Sequence, residues 1–78
     1  MRVIVTGWSP GLRKISLSDL LREDAGYSLK SAKSAVDQLL DNESVIVEFP
    51  SREAAGSFLQ RAVGLGALGH LDEEVAPG

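Results

Sequence analysis

The chain predicts a two-layer α+β domain of order β-α-α-β-α-β, with a three-stranded antiparallel sheet covered on one face by three helices. Three observations carry this expectation. Two β-branched runs, Val3-Ile4-Val5 and Val45-Ile46-Val47, read as strands. Three other stretches repeat apolar residues at helical spacing, each opened by a serine. Glycines, prolines and the Asp41-Asn42 pair punctuate the boundaries between them.

In order, residues 2–7 form the first strand, Val3 and Val5 facing one way and Arg2, Ile4 and Thr6 the other. Gly7 to Lys14 is a loop with a turn at Pro10-Gly11. Ser16-Leu17-Ser18-Asp19 fits a capping box opening a first helix, with Leu17, Leu20, Leu21 and Ala25 inward and Gly26 as a left-handed stop. Ser28 caps a second helix with an apolar stripe of Leu29, Ala32, Val36, Leu39 and Leu40, and Asp41-Asn42 closes it. Val45 to Phe49 is the second strand, halted by Pro50. Ser51 caps a third helix whose inner face is Ala55, Phe58, Leu59, Ala62 and Val63, and Gly64 stops it. Ala67 to Leu71 is a short closing strand despite Gly69. A right-handed crossover through the third helix runs the second and third strands parallel, with the first between them and antiparallel to both. The expected organisation is one domain over residues 1–71 and an acidic tail over 72–78.

Seventy-eight residues make one domain with a thin core, because a chain this short buries only about 60% of its unfolded surface. There is no cysteine, so neither a disulfide nor a thiolate metal site supplements that core. No apolar stretch approaches the roughly 18 residues of a membrane span or the core of a secretory signal, which makes cytoplasm the expected compartment. Charge is uneven. Residues 1–33 carry +3 and residues 34–78 carry −6, within a net charge of −3. That balance excludes a general nucleic-acid binder and leaves room for a locally basic face.

No catalytic, cofactor or metal site is expected. Gly64-Leu65-Gly66-Ala67-Leu68-Gly69 spells G-x-G-x-x-G, but it follows a helix and opens none, so no helix N-terminus would face a pyrophosphate. His70 is the lone histidine and has no metal-ligand spacing around it. Ser57 lies inside a helix without a nucleophile elbow. Trp8 has two readings, a residue folded back to complete the core or an exposed contact residue flanked by Arg13 and Lys14.

One stretch resembles a known family. Lys14-Ile15, Arg22, Gly26 and the run Leu29-Lys30-Ser31-Ala32-Lys33-Ser34-Ala35-Val36-Asp37 are similar to the C-terminal domain of the bacterial ribosomal stalk protein. The match is ungapped from Lys14 to Asp37. The adaptor of the Clp protease has the same fold. The resemblance implies a bacterial, non-enzymatic domain whose first two helices contact a protein partner, and it places that contact at Lys14, Arg22, Leu29, Lys30 and Lys33, beside Trp8 from the reading above. Ser18, Asp19 and Ser31 depart from the family pattern, which has isoleucine, lysine and glutamate there, and Asp19 reverses a charge within the contact face. The expected function is therefore a protein-interaction module. Weak, salt-dependent RNA or ribosome binding by the same face is one alternative. Another is a homo-oligomer formed through the open sheet face at Ile4 and Ile46; the chain is expected to be a monomer or a homodimer.

Overall fold

The computed structural model describes residues 1–72. It contains β1 (Arg2–Trp8), α1 (Lys14–Ala25), α2 (Leu29–Leu40), β2 (Val45–Glu48), α3 (Arg52–Gly64) and β3 (Ala67–Asp72). The sheet order is β2-β1-β3, with β1 antiparallel to both neighbours. This is the α+β architecture expected from the sequence.

Alternation along the strands sorts side chains between the two faces. Val3, Val5, Val45 and Val47 are buried beneath the helices, whereas Ile46 is 54% exposed on the opposite face. The core is completed by Leu17, Leu20 and Leu21 of α1, Ala32, Ala35, Val36 and Leu39 of α2, and Ala55, Phe58 and Ala62 of α3. Phe58 is fully buried and its ring lies 5.0 Å from that of Phe49, tilted by 39°. Such aromatic pairs contribute about 0.5–1.5 kcal/mol beyond the area they bury. No buried side-chain nitrogen or oxygen among the described residues lacks a partner.

Two of the three helix starts are capped as expected. The Ser28 side chain accepts a hydrogen bond from the Ser31 amide at 3.1 Å, and Ser51 accepts one from Ala54 at 3.1 Å. The third differs. α1 begins at Lys14, its N-cap is Arg13 without a side-chain bond, and Ser16 lies inside the helix. The cause is tertiary. The Arg13 amide donates to the Leu65 carbonyl at 2.9 Å, while the Ser9 amide and hydroxyl both donate to the Gly66 carbonyl at 2.8 and 3.1 Å. These bonds pin the β1–α1 loop to the α3–β3 turn and start the helix three residues early. The far end of α1 follows expectation, with Gly26 at φ 71°.

Other boundaries also move. β1 runs on through Gly7 and Trp8, so Trp8 belongs to a strand and not to the loop. It lies opposite Ala67 and is 38% exposed, which corrects the reading that folds it into the core. Val63 and Leu29, both expected on inner helix faces, are about half exposed, and Ala35 is buried in addition to the expected stripe. Asp72, expected in the tail, ends β3 and pairs with Arg2 at 2.8 Å. The remainder of that expected tail, residues 73–78, lies outside the described residues.

The glycines of the G-x-G-x-x-G run have structural duties. Gly66 has φ 104°, and a β-carbon there would stand 2.9 Å from the Leu12 Cα. Gly69 faces β1, where a β-carbon would stand 2.6 Å from the Ile4 carbonyl oxygen. Both positions hold two backbones in close approach, which only glycine permits.

Candidate functional site

α1 buries Leu17, Leu20 and Leu21, so the residues one step round its axis, Ile15, Ser18 and Asp19, point elsewhere. On α2 the same holds for Leu29, Lys33 and Asp37. Where the two helices meet, these surfaces enclose an open groove of about 330 Å³. Val36 and Leu40 contribute at its base, Ile15 and Leu29 stand in its walls, and Lys14, Lys33, Asp19 and Asp37 supply four charges. Ile15 is 80% exposed. An isoleucine so placed on a helix next to half-exposed Leu29 forms an apolar surface that the core does not use.

The groove gathers three of the six expected contact residues: Lys14, Leu29 and Lys33. Arg22 borders an adjoining depression that shares Asp19 with the groove and adds Glu23 and Tyr27. Lys30 lies on the other side of α2, in a polar furrow shared with Tyr27, Ser31, Ser34 and Gln38 and with Ser44 to Ile46 of the β2 edge. Trp8 lines neither. Lys30 and Trp8 therefore lie outside the groove, and Arg22 adjoins it across Asp19.

Asp19 was expected in the contact face as a reversed charge and does line the groove, whereas Asp37 was not expected there. The α1 wall was readable: Ile15, Ser18, Asp19 and Arg22 repeat at i, i+3, i+4 and i+7, a second stripe beside the buried one. With two lysines and two aspartates around an apolar centre, the groove suits apolar side chains of a partner whose surrounding charges are of both signs. Such a site orients its occupant by charge and draws its affinity from desolvated apolar contact.

The polar furrow has one perturbed group. Burial, and then the nearby Glu48 carboxylate, push the Tyr27 phenol above its ordinary value. Tyr27 therefore stays neutral and able to donate throughout the physiological range. Among the described residues no three histidine or carboxylate side chains are grouped so as to hold a metal ion. No described helix is long and apolar enough to cross a membrane.

No family model matches the chain, and no curated protein matches it.

Proposed function

We propose that this domain is a non-enzymatic protein-interaction module that takes apolar side chains of a protein partner into the α1–α2 groove. The observation that carries the reading is the exposed pair Ile15 and Leu29 standing in one groove ringed by Lys14, Lys33, Asp19 and Asp37. Exposed isoleucine and leucine on adjoining helices are costly in solubility and useful at an interface, where each buried methylene contributes about 0.8 kcal/mol. The resemblance of Lys14 to Asp37 to the stalk C-terminal domain supports the same two helices as the contact surface. The alternative of RNA binding gains little support, because Asp19 and Asp37 share the groove with Lys14 and Lys33, and Arg22 sits beside Asp19 and Glu23.

The test is a crosslinking capture from bacterial lysate with two variants run beside the wild type. Ile15→Asp/Leu29→Asp alters the groove, and Arg22→Glu/Lys30→Glu alters basic residues outside it. The reading expects one specific protein to be lost with the first variant and kept with the second. Equal recovery with the folded groove variant, or loss only with the second, would overturn it.

A further inference from the structure

The β2 edge of the sheet is open, and its hydrogen-bonding register follows from one reciprocal pair. The Met1 terminal amine donates to the Phe49 carbonyl at 3.1 Å, and the Phe49 amide donates to the Met1 carbonyl at 2.9 Å. In an antiparallel ladder such pairs recur at every second residue, so Val3 with Val47 and Val5 with Val45 are the next ones. The backbone groups of Ile46 and Glu48 therefore point away from β1, and among the described residues no hydrogen bond engages them. The Ser44 carbonyl obeys the same parity: it accepts from the Gln38 side chain, outside the sheet, at 3.0 Å. The strand carries no proline, lysine or bulge; its guards against edge pairing are its length of four residues and the terminal Glu48.

We infer that a second copy of this chain docks on this edge, β2 against β2 about a twofold axis at Ile46, joining the two sheets into one of six strands. A twofold centred on any of the four strand residues matches outward groups to outward groups. Centring on Val45 sets Ile46 against Ser44 and leaves Glu48 opposite Asn42, whose φ of 64° is not that of a strand. Centring on Glu48 sets two glutamates directly opposite each other and brings in Pro50, which has no N–H. Centring on Val47 sets each Glu48 against an isoleucine. Centring on Ile46 pairs isoleucine with isoleucine and sends the two Glu48 residues to opposite ends, each against Ser44 of the other copy. The half-exposed Ile46 side chains then meet on the open face and continue the row through Ile4, its partner across β1.

The helix layer fits this register. α2 returns antiparallel along β2, and four helical residues advance about 6 Å, nearly the span of two strand residues. Starting from the Gln38–Ser44 bond, Ser34 comes level with Ile46 and Lys30 with Glu48. The twofold thus brings the α2 helices nearest at Ser34, a small residue. It also sets Lys30 of each copy level with the Glu43–Ser44 end of the other, so opposite charges face across the joint. This surface lies on the far side of α2 from the groove, and the inference does not depend on the function proposed for that groove.

The experiment is sedimentation from about 1 μM to about 1 mM, together with amide hydrogen exchange at both ends of that range. The expected result is a mass rising from 8.3 kDa toward twice that value. The Ile46 and Glu48 amides should slow by about tenfold or more, while Val45 and Val47 are protected throughout. Ile46→Pro removes an outward N–H that β1 does not use and should leave a folded monomer. Ser34→Arg, on the helix, tests the same joint without touching the strand and should also give a monomer. A single-chain mass at the highest concentration would overturn the inference. So would a dimer in which the Ile46 and Glu48 amides still exchange fast, a dimer that survives Ser34→Arg, or a foreign peptide found paired to this edge.

Discussion

The two sides of β1 are built by opposite rules. Toward β2 the ladder is regular from Arg2 with Glu48 to Val5 with Val45, and its members are mostly β-branched. Toward β3 the register slips between Val5 and Gly7, and Gly69 faces Val5 with no room for a side chain. The first side is held by side chains packed on a pleated surface. The second is held by backbones drawn too close for them, as happens next to a bulge. The same strand thus tolerates change differently on its two sides, and the glycines resembling a nucleotide fingerprint belong to the tight side.

Substitution can break this contrast. Gly69→Ala should have the largest effect, a loss of about 3 kcal/mol, because its β-carbon would meet the Ile4 carbonyl and the Val5 Cα and one strand must move. Chemical denaturation measures the loss, and exchange should show Ile4 and His70 amides opening first. A change below half a kilocalorie would mean that the two strands are free to separate. Val47→Ala, on the regular side, should cost about 2 kcal/mol through lost packing and a residual cavity, since Val47 is fully buried. Here the ladder should keep its protection pattern, which distinguishes a cavity from a clash. Ile46→Thr should be smallest, within about 0.5 kcal/mol for the monomer, because the residue is exposed and threonine suits a strand. Thermal unfolding at low protein concentration reads this last case without interference from association.

Much of the fold was legible in the chain. Strand and helix types follow from period and β-branching, and Ser28, Ser51 and Gly26 mark boundaries because each acts within one turn of itself. Ser16 shows where local reading ends. Its four-residue signature is a reasonable cap, but bonds from Ser9 and Arg13 to Leu65 and Gly66, more than fifty residues away, start the helix at Lys14. Trp8 is similar: strand pairing with Ala67 places it, and no neighbour in sequence announces that.

The candidate site divides in the same way. Lys14, Leu29 and Lys33 were marked in the sequence by their likeness to a known pattern, and they do share a groove. Their assembly across the helix pair with Ile15, Asp19 and Asp37, and the placing of Lys30 outside the groove, depend on how α1 and α2 cross, which periodicity on either helix alone does not specify.

By itself, then, the sequence determined the kinds and order of the elements, most of the faces they bury, and the caps of two helices, since these rest on propensities and spacings acting over a few residues. Tertiary structure alone decided where α1 begins, why Gly66 and Gly69 cannot be other residues, which charges ring the groove, and which backbone groups of β2 are left outward. Those features depend on contacts between segments distant in the chain, whose geometry is set only when the whole core closes.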